Sequence, residues 1–320
     1  MADLLPADAS GLDRAAAALR HGGLVAFPTE TVYGLGADAR SDIAVARLYA
    51  AKGRPRFNPL IAHLPSTAEA EARGAFTADA RRLAAAFWPG PLTLVVPATP
   101  GCDVGLLARA GLTSVALRVP AHPFARALLE KAGMPVVAPS ANPSGRVSPT
   151  SAAHVLADLG DRIDLVLDGG ACSVGVESTI VACLDRPTLL RPGGVPAAAV
   201  EAVLGFALAE AQGDADQPLA PGRLASHYAP RARVRLNVTD VQPGEVVLDF
   251  GGRLAAADDG RLYRDLAPDG NVTMAATRLF AALREFDVTT ATGIAVAPIP
   301  RNGLGAAIND RLGRAAAPRG

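Results

Sequence analysis

The sequence predicts an α/β protein, a twisted mixed sheet with helices outside and a smaller α/β domain behind it, and three observations lead there. Helical and extended patterns alternate along the first two-thirds of the chain without one uniform repeat, which is the grammar of a mixed sheet. Over 205–230 the pattern decays into Ala, Gly, Asp, Gln and Pro, the composition of a tether. Beyond it the alternation resumes on a smaller scale, and 320 residues suffice for two domains. The expected division is a large domain over 1–204, a linker over 205–233 and a small domain over 234–320.

The elements follow in order. A helix is expected over 10–20, closed by Gly22-Gly23 before an apolar strand over 24–27. Ser41 caps a second helix that runs to Lys52, Gly53 stops it, and a strand over 60–64 follows. Further helices are expected over 77–87, 123–132 and 150–159. Extended runs fall at 92–96, 114–119, 135–138, 164–167, 178–184 and 188–191. In the second domain strands are expected at 234–238, 245–250 and 293–297, with helices at 272–286 and 304–315.

Composition narrows the function. Half the residues are hydrophobic and only 4% aromatic, so the core is aliphatic. Lys+Arg and Asp+Glu balance at 31 each, which argues against nonspecific coating of nucleic acid or an anionic membrane surface. Any polyanion must be met by local charge. The N-terminus lacks a signal-like basic and apolar run and no stretch is long enough to span a bilayer, so a cytoplasmic location without membrane contact is expected. Cys102, Cys172 and Cys183 have no Cys-x-x-Cys spacing and are expected as reduced, buried thiols.

Several chemistries drop out. There is no Gly-Lys-Ser/Thr, which removes a Walker phosphate loop, and Gly34-Leu35-Gly36-Ala37-Asp38-Ala39 lies too far from its strand to open a dinucleotide fold. The histidines at 21, 63, 122, 154 and 227 show no metal-ligand spacing, and no Gly-x-Ser-x-Gly elbow occurs.

What remains is a set of polar loops at the ends of strands and helices, where α/β enzymes place their chemistry. Pro28-Thr29-Glu30-Thr31-Val32-Tyr33-Gly34-Leu35-Gly36 sets hydroxyls and a carboxylate beside glycines. Lys52-Gly53-Arg54-Pro55-Arg56 holds one of only two lysines in the chain, the other being Lys131. Where arginine is the default cation, a retained lysine fits contact with phosphate, and equally a solvated helix end favoured by the macrodipole. Pro139-Ser140-Ala141-Asn142-Pro143-Ser144-Gly145-Arg146-Val147-Ser148 crowds hydroxyl, amide and backbone donors in a way that suits an anion such as a triphosphate; a Ser/Pro turn of structural use only is the alternative.

Together these segments resemble the YrdC family in its long two-domain form. The blocks are Phe27 to Gly36, Lys52-Gly53-Arg54-Pro55 with Asn58-Pro59-Leu60, Trp88-Pro89-Gly90-Pro91-Leu92-Thr93, Pro139-Ser140-Ala141-Asn142, Ser178-Thr179-Ile180 and Leu190-Arg191-Pro192-Gly193, in the family's order and spacing. The resemblance implies an open cleft on the sheet, a Rossmann-like second domain, and synthesis of L-threonylcarbamoyladenylate from L-threonine, bicarbonate and ATP. It also implies a product passed to the machinery that modifies tRNA to N6-threonylcarbamoyladenosine. Lys52, Arg54, Ser140 and Asn142 match the family's catalytic set. Thr31, His63, Arg118, Ala138 and Ser178 match its threonine site, and Arg54, Asn58, Ser114, Ser140, Ser148, Arg191 and Tyr228 its ATP site. Mg²⁺ is implied with ATP, and no protein metal ligand is assigned. The segment over 221–230 is implied to fold over the cleft as a lid; there Arg223 stands where an apolar residue is expected. Two other functions fit less well: an RNA-binding module, weakened by neutral charge and absent Arg/Lys–aromatic runs, and a carbamoyl-adenylate unit like that of hydrogenase maturation, weakened by the lack of cysteine pairs.

Overall fold

Strand formation along the first two-thirds draws on short apolar runs, and the computed structural model, which describes residues 1–211, 219–221, 227–257 and 260–318, joins them into one mixed sheet. Among the described residues its order is Asp3–Pro6, Leu165–Asp168, Val25–Phe27, Gly34–Asp38, Val136–Val137, Ile61–His63, Ser114–Arg118, Leu92–Pro97, Thr179–Ala182, Thr188–Arg191 and Ala209–Glu210. Parallel pairs such as Ile61–His63 with Ser114–Arg118 alternate with antiparallel ones such as Leu92–Pro97 with Ser114–Arg118.

The helices begin where capping chemistry places them. Asp8 accepts from the Gly11 amide at 2.8 Å and starts Ala9–Arg20, while Ser41 accepts from the Ala44 amide and starts Asp42–Lys52. Gly53 ends the latter at φ +58°, the left-handed conformation that lets the chain turn sharply into Arg54.

Side chains alternate across a strand, so each strand of the sheet's centre offers two faces. Ala62, Leu117, Val137, Leu94 and Val181 lie on one face, in the main aliphatic core beneath the helices. Ile61, Ala116, Val95, Ile180 and Ala182 lie on the other, in a small apolar cluster that also holds Ala220. The functional hollow sits over this second face.

A second sheet, all parallel, runs Arg233–Arg235, Gly293–Val296, Glu245–Asp249 and Tyr263–Asp265 among the described residues. Helices Val272–Asp287 and Gly305–Ala316 pack on it through Leu279, Phe280, Leu283, Ile308 and Leu312. This core is not closed on itself. Val32, Val147 and Val176 of the first domain belong to it, as does Tyr228.

Several elements differ from expectation. Gly34–Asp38 is a fully buried strand where a loop was expected, because its glycines allow close approach: a Cβ on Gly36 would come within 2.9 Å of the Phe27 ring. Asp3–Pro6, Tyr263–Asp265 and the short helix Thr67–Glu71 were not anticipated, and Ala209–Glu210 adds an edge strand inside the expected linker. Cys172 and Cys183 are buried as expected, whereas Cys102 is half-buried. Among the described residues no helix is long and apolar enough to cross a membrane.

Candidate active site

The register between neighbouring strands assembles the site. His63 pairs with Arg118, Ile61 lies beside Ala138 and its carbonyl accepts from that residue's amide at 3.0 Å, and Arg191 pairs with Ile180, two residues after Ser178. All therefore face the same way, and they line one hollow. Thr31, Arg54, Ser140, Glu177, Pro221, His227 and Tyr228 complete much of the wall.

One end of the hollow is organised around Arg118, which is buried and planar. Its Nη2 donates to Glu30 Oε1 at 2.6 Å, Nη1 to Thr31 Oγ1 at 3.0 Å and Nε to the Gly90 carbonyl at 3.3 Å. The guanidinium has five N–H donors, so each terminal nitrogen keeps one in hand. Glu30 is itself fixed by the Ala121 amide at 3.1 Å, and Thr31 by Thr29 Oγ1 at 2.8 Å. Beside it, His63 Nδ1 lies 3.2 Å from the Ile61 carbonyl, which can only accept, so Nδ1 carries the proton and Nε2 is left as an acceptor. Burial, reinforced by the positive charge of Arg118, lowers the His63 pKa to about 3. The ring is neutral.

The other end is cationic. Arg54 Nε and Nη2 donate to the carbonyls of Asn58 and Pro59 at 3.3 and 3.1 Å. Arg191 Nη2 donates to the Ser178 carbonyl at 2.9 Å and to Ser178 Oγ at 3.2 Å, while Nη1 reaches the Pro221 carbonyl at 3.4 Å. Lys52, 3% exposed, donates from Nζ to the Ser140 carbonyl at 2.6 Å and to the Asn142 carbonyl. None of the three has a carboxylate within ion-pair distance among the described residues. Desolvation pulls all three pKa values down, with Arg54 pressing on Lys52 and Arg54 itself brought to about 10. Buried cations that meet only neutral oxygens are costly, and they become favourable when an anion arrives.

Four of the six unpaired buried polar atoms among the described residues stand in or behind this wall; the other two, on His122 and Arg126, do not line it. Asn58 Oδ1, Asn142 Oδ1, His227 Nδ1 and Arg311 Nη2 are buried without a hydrogen-bond partner among the described residues. Native proteins rarely leave such groups unsatisfied away from ligand sites.

Of the residues singled out in the sequence, Thr31, Arg54, His63, Arg118, Ala138, Ser140, Ser178, Arg191 and Tyr228 line the hollow. Lys52, Asn58, Ser114, Asn142 and Ser148 do not. Lys52 stands behind the Ser140–Asn142 turn rather than at a solvated helix end, and Asn142 Nδ2 ties the turn to the carbonyls of Pro143 and Arg146 at 2.8 and 2.9 Å. Asn58 holds Arg54 through its backbone, Ser148 donates to Glu177 Oε1 at 2.5 Å, and Ser114 lies on the hollow's face of its strand, four residues before Arg118. Arg223, with the rest of 222–226, lies outside the described residues.

Glu177 and Arg311 were missed, and Glu30 was noted only as the carboxylate of the first polar loop, without a role. Burial works to raise the Glu177 pKa, but Arg311 and Arg191, with the Ser148 hydrogen bond, hold it down at about 2. A signal for Arg311 existed: Ile308, Arg311, Leu312 and Ala315 form one apolar helical stripe, on which an arginine is out of place.

A family model described as "Telomere recombination", covering Sua5, YciO and YrdC, matches residues 17–193. A second, "Threonylcarbamoyl-AMP synthase, C-terminal domain", matches residues 195–317. The chain belongs to the Sua5/YrdC family. Within that family it resembles the threonylcarbamoyl-AMP synthase of Bacillus subtilis, with 41% identity over 96% of this chain and 93% of the relative. The Schizosaccharomyces pombe threonylcarbamoyl-AMP synthase is 35% identical over 96% of this chain and 88% of its own. The crystal structure of Pyrococcus abyssi Sua5 complexed with L-threonine superposes with a TM-score of 0.86 at 36% identity, covering 99% of this chain and 97% of that one. A Sua5/YrdC protein of the two-domain form is thus defined by both sheets, not by the first alone.

Proposed function

We propose that this protein joins L-threonine, bicarbonate and ATP into L-threonylcarbamoyladenylate with release of pyrophosphate, supplying tRNA modification to N6-threonylcarbamoyladenosine. The observation that carries the reading is the trio Lys52, Arg54 and Arg191, buried cations with only neutral oxygen partners beside a hollow whose far end is built for an amino acid. The names of the B. subtilis and S. pombe relatives and the threonine complex of P. abyssi Sua5 support it.

At the amino-acid end the spare N–H groups of Arg118 form a fork for the threonine carboxylate. His63 Nε2, an acceptor on a ring too acidic to serve as a base, suits the threonine hydroxyl. Thr31, Ser178 and the Ala138 backbone complete this subsite. The amine then lies free to take up bicarbonate as an N-carboxylate, with loss of water. An oxygen of that carbamate attacks the α-phosphorus of ATP and pyrophosphate leaves, so the reaction needs no nucleophile from the protein. Catalysis rests on positioning and on cations where charge gathers: Arg54 and Arg191 in the wall, Lys52 beneath the Ser140–Asn142 turn, with Asn58, Ser114, Ser148 and Tyr228 shaping the ATP subsite.

Among the described residues no three His, Cys, Asp or Glu side chains cluster as a metal site, and both oxygens of Glu177 are already engaged. The donor set does not fit a resident metal. Magnesium enters in this reading as part of the MgATP substrate, held by phosphate oxygens and water.

The test supplies labelled bicarbonate, ATP and each of several amino acids and looks for label in an adenylate. Label should appear with threonine and disappear, with the fold intact, in Lys52→Ala or Arg54→Ala; unchanged pyrophosphate release in those variants sinks the assignment. We also propose that the stretch around His227 and Tyr228 is a lid that keeps water from the mixed anhydride and moves to release it. A chain ending at Gly205 should then lose synthesis, and undiminished turnover would remove the lid from the mechanism.

A further inference from the structure

The hollow has one carboxylate in its wall among the described residues, and it is on the side where the proposed triphosphate binds. Glu177 precedes Ser178, whose carbonyl and hydroxyl hold Arg191. Left bare, its charge would repel a polyphosphate. It is not left bare. Arg311, from helix Gly305–Ala316 of the second domain, donates from Nε to Glu177 Oε2 at 2.7 Å and is wholly buried. Arg311 Nη1 is bonded to Asp310, and Asp310 to Arg314 Nε at 3.1 Å. Charges of alternating sign thus run from the half-exposed Arg314 inward to Glu177, and they cancel pairwise.

The same guanidinium reaches the proposed lid. Its Cζ lies 5.2 Å from the centroid of the Tyr228 ring, which packs against Phe280, also of the second domain, at 5.6 Å and against His227 at 4.0 Å. Arg311 Nη2 remains buried without a partner among the described residues. A residue kept for packing alone would not carry that cost; an apolar side chain of similar volume would fill the helix stripe better.

We propose that Arg311 is a positioning residue of the nucleotide site: it neutralises Glu177 in the wall and seats the Tyr228 ring, so that the second domain completes the pocket for the triphosphate. The inference rests on the adenylate-forming reading above. It assigns the second domain a direct part in nucleotide affinity and none in threonine binding, because Arg118, Thr31 and His63 take all their partners from the first domain.

The experiment compares the full-length protein with Arg311→Met, Glu177→Gln, the double variant and Arg311→Lys, reading KM for ATP, KM for threonine, kcat and the thermal midpoint. Arg311→Met should raise the KM for ATP about tenfold or more while the KM for threonine stays within about twofold. The double variant, with both charges gone, should return the KM for ATP to within about threefold of wild type, and Arg311→Lys should lie between. Equal shifts in both KM values, a lowered thermal midpoint with no change in KM, or a double variant no better than Arg311→Met would each overturn the proposal. If Arg311→Met does not fold, the double variant decides alone: a KM for ATP more than about tenfold above wild type overturns it. Wild-type protein that makes no adenylate at all would instead remove the reading on which the inference stands, so the two failures are distinguishable.

Discussion

Lys52 sets its amine in a place where only carbonyl oxygens meet it. Desolvation first, then the neighbouring Arg54, depress its pKa in the free protein, while Asp158 pulls weakly the other way. A bound triphosphate supplies the missing counter-charge, so the pKa in the complex must be higher than in the free protein. The sign follows: nucleotide binding takes up a proton, and affinity falls as pH rises from the free-protein value to that of the complex, by up to about tenfold per pH unit. Titration calorimetry of MgATP at mildly alkaline pH, in two buffers of different ionisation heat, should give different heats. Identical heats would mean that Lys52 is already charged before the ligand arrives. The sequence marked this residue by its rarity among arginines; what it could not tell was whether the ammonium lay in solvent or beneath the turn, since that depends on where residues some ninety positions away fold back.

Among the elements, helix Val272–Asp287 presses closely on the loop before Glu177. Gly175 sits there at φ +78°, and a Cβ on it would come within 2.4 Å of Thr277 Cα and 2.5 Å of the Ala276 carbonyl. Gly175→Ala should therefore cost about 2–5 kcal/mol, from overpacking and left-handed backbone together. Gly53, also left-handed but with nothing within 4 Å of a Cβ, provides the contrast: Gly53→Ala should cost about 1–2 kcal/mol. Equal denaturant midpoints for the two would show that the seam yields easily. Helices with a cap and a glycine stop, such as Asp42–Lys52, were legible almost to the residue. Gly34–Asp38 was not, because a strand of Gly, Leu, Gly, Ala and Asp has no β-branched or aromatic residue to announce it, and its pairing with Val25–Phe27 is a tertiary fact. Glu177 and Arg311 escaped for the same reason. Glu177 looks ordinary alone and Arg311 shows only as a misfit on its helix stripe, and their meaning arises when 134 positions of chain separation close to 2.7 Å.

At the scale of the molecule, burial of His63 and His227 contributes to the response to acid, alongside His154 and Glu177. His63 and His227 have pKa values lowered from 6.5 to about 3, chiefly by desolvation, whereas in the unfolded chain they titrate normally. Their depressed folded values contribute stability that is present above pH 6.5 and is lost as pH falls toward 3, because the unfolded state binds the extra protons. Each accounts for at most about 1.4 kcal/mol per pH unit across that window. Denaturant midpoints measured against pH should decline on the acid side, and the His63→Gln/His227→Gln variant should decline less steeply; parallel slopes would assign the acid loss to other groups. The family blocks made the cleft readable because they supply much of its wall. The apolar part of the surface where the domains meet was not readable, since Val32, Val147 and Val176 are residues that any core contains.

Those valines decide how the chain can be recombined. Since Val32, Val147 and Val176 are already part of the apolar cluster that closes the second sheet, a chimera cut between the two halves inherits half of a mould without its casting. A graft of this C-terminal half onto another member's first sheet will seat only if those three positions, and the carbonyls of Val147 and Ser148 that Arg284 grips, travel with it.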